Sequence, residues 1–311
     1  MKKTSFRDSK IASFSTVFSE LRLLDYVTFI YFAIISSLAL IFHQRLADWY
    51  WYIVAHLVSM ALLLLLFKYA ENTKIRFIKF IRELYPMLLF IVSFKEVSLF
   101  IQAIFPLWFE PHLMAWDLWP FGIPTTVWVQ QHHRPWLTEI MAFCYVSYYY
   151  IMPGGCFVFL LRKNWRMVRS CSLHVALTNY LCYLTYFVLG ARGPRNTLAH
   201  LHNTREAAGL FDHIVLTIQS TANISGAAFP SSHVAATWVV LIFMFRDRFS
   251  TGLLWTPLII GLILSTVYLQ YHYLLDSVAG IVFVSCVTYP LGRWLEKKYS
   301  REDFLSHRDP V

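Results

Sequence analysis

The sequence predicts an all-α, polytopic integral membrane protein of about eight transmembrane helices. Three observations lead there. Of 311 residues, 57% are hydrophobic and 14% charged, with a mean hydropathy of +0.50; a water-soluble domain could not hide that much apolar surface. Several runs reach about 20 apolar residues, enough to cross a bilayer core. The segments between those runs alternate between basic and nearly uncharged.

Taken in order, the spans fall at 25–43, 49–67, 85–105, 137–161, 171–190, 232–249, 253–271 and 275–292. A segment 1–24 precedes the first, and it carries Lys2, Lys3, Arg7, Lys10 and Arg22. It reads as a cytoplasmic head, not a cleaved signal peptide, because no small-x-small cleavage site follows the first apolar run. The first two spans and a basic loop (Lys68, Lys74, Arg76, Lys79, Arg82) make up 25–84. Further basic clusters sit at 162–169, at Arg246 and Arg248, and in the tail 293–311, with Arg301 and Arg308. The opposite side holds Arg45, Arg134, Arg192, Arg195 and Arg205. The positive-inside rule then puts both termini in the cytoplasm, in a cell membrane. The net charge of +9 is thereby topological and calls for no nucleic-acid partner.

The five cysteines all fall in or beside apolar spans and form no CxxC pair, so neither a disulfide framework nor a zinc site is expected. No nucleotide-binding loop or HExxH element occurs, and no cofactor or metal is expected. The sequence leaves the oligomeric state open.

Two outside loops are longer than a hairpin needs. The first, about 106–136, is rich in Trp and Pro, and reads as a membrane-hugging cover. Its His132 and His133 are adjacent, point apart on a helix, and read as solvated. The second, about 191–231, leads into Phe229-Pro230-Ser231-Ser232-His233, where a polar helix start opens an apolar run. Serine caps helix starts, and the free N–H groups of such an end attract phosphate.

That helix runs inward, turns at Arg246–Arg248, and the next run returns to the same side at Ser265-Thr266-x5-His272-x3-Asp276. Eighteen residues at 1.5 Å each rise about 27 Å, one hydrocarbon thickness. Both polar clusters thus reach one membrane depth. If the helix persists, Ser265, His272 and Asp276 share a face. The aspartate then accepts the Nδ1 hydrogen and leaves Nε2 free as nucleophile or base. A His–Asp bond that merely joins two spans is the alternative.

These residues resemble the type-2 phosphatidic-acid phosphatase superfamily, lipid phosphatases related to the vanadium haloperoxidases. The family pattern is Pro-Ser-Gly-His, then Ser-Arg-x5-His-x3-Asp, preceded by Lys-x6-Arg-Pro. The resemblance implies a nucleophile at His272, its orienting acid at Asp276, a general acid at His233, and phosphate contacts at Ser231, Ser232 and Ser265. Ser232 stands for the usual Gly, Thr266 for the usual Arg, and Gly193-Pro194-Arg195-Asn196 is the nearest counterpart of the Arg-Pro element. Arg195 is therefore assigned as the phosphate clamp, with Arg192 as its rival and Asn196 beside it. The departures resemble the inositol-phosphorylceramide-synthase-like branch, in which two extra spans precede a six-span core, here 85–292. Fewer cations suit a phosphodiester donor better than a monoester.

Glu96 lies mid-span, where a carboxyl needs a cavity or a partner. Tyr145–Tyr150 with Pro153, Gly154 and Gly155 reads as a packed, kinked span. His200, His202 and His213 are rivals to His233 without its helix start. The expected activity is release or transfer of a phosphate-linked lipid headgroup through a phosphohistidine, on the extracytoplasmic side. The partners are a membrane lipid phosphate and an alcohol or water acceptor, with transfer favoured. A monoester or diphosphate phosphatase is the alternative; a transporter and a non-catalytic protein with a degenerate site are readings from other classes.

Overall fold

A computed structural model describes residues 21–105, 107–203, 207–222 and 225–299. The basic residues before position 21, Arg205, Arg301 and Arg308 lie outside the described residues. Among those described, all regular structure is helical. Five helices are long and apolar enough to cross a membrane, or six if one bent pair counts as a single span. The chain divides into two compact units, 1–86 with 295–311, and 87–294.

In the first unit, α1 (Leu23–Ile41) and α2 (Trp49–Asn72) pack together, joined by the start of α3 (Arg76–Ile104). The charges here are more than topological. Arg82 is 1% exposed, pairs with fully buried Asp25, and lies 3.8 Å over the Phe67 ring. Tyr85 donates to the same aspartate at 2.9 Å, and Arg22 pairs with Glu71 and Glu83. Burial on this scale demands that each charge meet an opposite one.

The second unit holds the rest of α3 and the helices that follow, as far as Trp294. Two short ones, α4 (Glu110–Asp117) and α5 (Thr125–Gln130), occupy the Trp-rich loop. A bent pair follows, α6 (Pro135–Val146) and α7 (Tyr148–Leu161), then α8 (Trp165–Tyr186). A single turn at Pro194–Thr197 precedes α9 (Leu210–Ala222), α10 (Ser232–Asp247) and α11 (Phe249–Tyr268). The last run begins as α12 (Leu274–Phe283), passes through a π-turn at 284–288, and ends as α13 (Tyr289–Tyr299).

α10 is the centre of the unit, packed against α7, α8, α11 and α12. Its residues are buried around most of the circumference, as expected of a helix apolar on every side. Of the spans expected from sequence, α8 is more polar than the helices counted above, and α10, at 16 residues, is shorter than a bilayer crossing needs. Both are mostly wrapped by other helices, and a helix facing protein on all sides need not match lipid.

The expected kinked span 137–161 is broken instead at Ser147, where α6 and α7 meet at 51°. The Ser147 hydroxyl donates to the Cys144 carbonyl at 2.5 Å, a local bond that competes with helix continuation. Pro153 stays inside α7.

Candidate active site

A cavity of about 230 Å³ lies within the second unit, at the starts of α10 and α12. His233, in the first turn of α10, faces it from one side. His272, between α11 and α12, faces it from another. Their ring centroids are 5.9 Å apart, with planes at 60°.

The chain reaches this arrangement by a route unlike the expected one. The helix does not persist from Ser265 to Asp276: α11 stops at Tyr268, and Gln270 adopts φ 67°. The Tyr271 and His272 N–H groups both donate to the Thr266 carbonyl at 3.0 Å, which folds His272 back over the helix end. A new helix then starts, and Asp276 is its third residue. One carboxylate oxygen of Asp276 accepts the Tyr273 N–H at 2.9 Å and meets His272 Nδ1 at 3.3 Å. The aspartate thus serves as helix cap and imidazole partner together, so His272 and Asp276 meet without one continuous helix. With Nδ1 turned to Asp276, Nε2 is the ring nitrogen left for other partners. Burial favours the neutral imidazole at His272 and brings it down to about 4, partly offset by a bond to the Ala228 backbone.

The Gly193–Asn196 turn closes the third side. Arg195 and Asn196 line the cavity, and the Arg195 N–H donates to the Gln270 carbonyl at 2.9 Å. Gly193 is required there, because a Cβ would lie 2.4 Å from the Tyr271 carbonyl oxygen. The Arg195 guanidinium donates to the Tyr271 hydroxyl at 2.6 Å. Arg192 does not line the cavity: Glu110 holds it through Nε at 2.6 Å, and its guanidinium stacks on Trp108 at 4.8 Å.

Ser231, Ser232 and Ser265 do not line the cavity. Ser231 is fully buried; its Oγ accepts the Val234 N–H at 3.4 Å, and its N–H donates to the Asp276 carbonyl at 3.1 Å. It therefore caps α10 and ties that start to the His272–Asp276 turn. Gly280 permits the same approach, since a Cβ there would lie 2.8 Å from the Ser231 oxygen. Ser232 is 3% exposed, and Ser265 is fully buried, donating to the Leu262 carbonyl at 2.7 Å. Neither lines the cavity, and neither does Glu96, which is 8% exposed in α3.

Several cavity residues escape a sequence reading. Tyr145, which reads as packing, stacks on His233 at 5.5 Å and lines the cavity. Tyr148 and Phe94 complete an aromatic wall around that histidine at 4.3 and 6.4 Å. α9 adds Leu216, Gln219 and Ser220, and Gln219 donates to the Tyr145 hydroxyl at 2.9 Å. That helix is anchored by Glu139, which accepts the Phe211 and Asp212 N–H groups. The adjacent tyrosine in Tyr271-His272 was the one visible signal; α9 offered only its amphipathic pattern.

Of the rival histidines, His200 and His213 are exposed and none lines the cavity. His202 bonds Thr126 at 3.1 Å, and burial brings it down to about 4. His133 bonds the Tyr268 carbonyl at 3.0 Å instead of lying in solvent, while His132 packs on Trp128.

Comparison with known proteins places the chain. The profile of the PAP2 superfamily matches residues 112–289, a stretch that holds the cavity histidines, Asp276 and Arg195. The chain belongs to the PAP2 superfamily. It is also similar to a PA-phosphatase related-family protein of Dictyostelium discoideum, 28% identical over 178 residues, covering 49% of this chain and 32% of that protein. The match thus spans about a third of that relative's length. No solved structure matches the chain. Superfamily membership and the apolar helices make this PAP2 protein an integral membrane protein.

Proposed function

We propose that this PAP2-superfamily protein is a membrane-embedded lipid phosphatase or phosphotransferase that works by double displacement at phosphorus. The observation that carries the proposal is the pair of imidazoles, 5.9 Å apart on one cavity, with Asp276 behind one of them. That gap suits a phosphoryl group between a nucleophile and an acid.

In this reading, neutral His272 attacks phosphorus through Nε2 while Asp276 steadies Nδ1–H. The P–O bond to the leaving group breaks as His233 gives that oxygen its proton. His233, now a base, takes a proton from the acceptor hydroxyl, which attacks phosphorus and expels His272. Arg195 meets the phosphoryl oxygens. Among the described residues it is the one arginine or lysine in the lining, which favours a lipid phosphodiester donor over a doubly charged monoester.

Transfer to a lipid or sugar hydroxyl is favoured over transfer to water by the resemblance to the inositol-phosphorylceramide-synthase-like branch. The neutral polar groups of Asn196, Gln219 and Ser220 fit a hydroxylic acceptor. The basic segments support eight spans, with α8 and α10 among them, both termini cytoplasmic, and the cavity on the extracytoplasmic side.

The test is lipid-extract mass spectrometry with the purified wild type and His272→Ala, in chelator. Headgroup release or exchange that requires His272 is expected. Equal activity in both proteins rejects the assignment. A strong preference for phosphatidic acid over a phospholipid diester would reject the diester donor alone.

A further inference from the structure

Helix α4 lies in the Trp-rich loop that its sequence presents as a cover. Glu110 and Asp117, at its two ends, are each 2% exposed. They are seven residues apart, about 10 Å along the axis and on one face. Carboxylates this buried need donors, and most of the donors come from loops that bear cavity residues.

Glu110 accepts the Arg192 N–H at 3.3 Å and its side chain at 2.6 Å, three residues before Arg195. Asp117 accepts the Leu274 N–H at 3.1 Å, two residues after His272 and at the start of the helix that bears Asp276. Its other oxygen accepts the Thr125 N–H at 2.8 Å. Between the carboxylates, Leu113 is fully buried against Ala191, Leu198, Ala228 and Tyr273. One short helix therefore grips the Arg195 turn, the segment entering α10, and the His272–Asp276 turn.

We infer that α4 is a brace that fixes Arg195 and His272 at their working separation, with Glu110 and Asp117 as positioning residues. Neither lines the cavity, so neither is a catalytic residue. The inference rests on the phosphoryl-transfer reading above and adds a second layer to it. Asparagine at 117 would leave one acceptor where two N–H groups converge, setting its own NH₂ against the other. A misplacement of about 1 Å near reacting atoms costs on the order of 100-fold in rate.

The experiment uses the full chain in lipid nanodiscs, with phosphatidic acid and a phospholipid diester as substrates. Asp117→Asn is expected to lower kcat about 10- to 100-fold with little change in KM. Backbone amide exchange over residues 270–277 should quicken. Glu110→Gln, which keeps one acceptor, should show a smaller loss in kcat and serves if Asp117→Asn fails to fold. Arg162→Ala, at the far end of α10, is the stability control: a lower melting temperature, with wild-type kcat and wild-type exchange over 270–277. Wild-type kcat and exchange in Asp117→Asn and Glu110→Gln overturn the brace and leave the reaction standing. Wild-type activity in His272→Ala overturns the reaction, and the brace with it.

Discussion

At the start of α10, His233 opens on a cavity and is walled by aromatic rings. At its end, Asp247 is sealed by Arg162, which also donates to Thr251 at 2.8 Å. Both ends place polar groups against apolar helices, yet only the first gathers them on the cavity. At the Asp247 end, Arg162 and Asp247 pair with each other. At the other, His233, His272 and Arg195 converge on a volume that the protein itself does not fill. Groups held ready at such a cost in packing are the mark of a reacting site, whereas a sealed ion pair is a fastening.

The comparison breaks most visibly if His233 can be removed without loss. His233→Ala should lower kcat by roughly 10²- to 10⁴-fold, as expected for a lost general acid, while the melting temperature stays near that of the wild type. Steady-state kinetics and thermal unfolding on one preparation decide it. Arg195→Ala comes next, with a loss of about 10²-fold in kcat/KM. A larger loss in Arg192→Ala than in Arg195→Ala would reverse the choice of clamp.

The pH profile sharpens the same contrast. In the proposed reaction His272 attacks as the neutral imidazole, and burial brings it down to about 4. Protonation therefore sets in only as pH falls through that value, so the acid limb of kcat/KM assigned to His272 should lie near pH 4. A limb at the ordinary histidine value of about 6.5 would mean that the Asp276 carboxylate outweighs burial. At the sealed end, Arg162→Ala leaves Asp247 inside without its partner. A loss of about 1–3 kcal/mol in stability is expected there, read by denaturant unfolding, with kcat unchanged.

The sequence made parts of this contrast readable and hid others for definite reasons. The two consecutive apolar runs were visible from hydropathy, and as α10 and α11 they bring His233 and His272 to one cavity. The pairing of His272 with Asp276 was also visible, but on a mistaken premise. Four-residue spacing suggested a continuous helix, whereas the chain breaks at Gln270 and Asp276 reaches back from the first turn of the next helix. The grip of Asp117 on Leu274 crosses 157 residues to a backbone N–H, and a backbone donor leaves no trace in residue type. A hydroxyl at a helix start serves as well for a cap as for a ligand, and the Ser231 hydroxyl takes the capping role. Tyr145 was hidden among like residues in Tyr145–Tyr150, since the 51° bend at Ser147, not composition, decides which ring meets the cavity.

Tyr145 supplies the smallest effect and the finest test of where the open end stops. Its ring stacks on His233, and its hydroxyl accepts from Gln219 at 2.9 Å. Phenylalanine keeps the stacking and deletes only the acceptor, so Tyr145→Phe separates the two roles. Losing one neutral hydrogen bond is worth about 1 kcal/mol, a change of several-fold. That change should appear in KM for the acceptor, because Gln219 is one of the neutral polar groups proposed to meet it, while kcat holds. A fall of 100-fold in kcat would instead move the hydroxyl into the proton path of His233, making the aromatic wall part of the chemistry and not its lining.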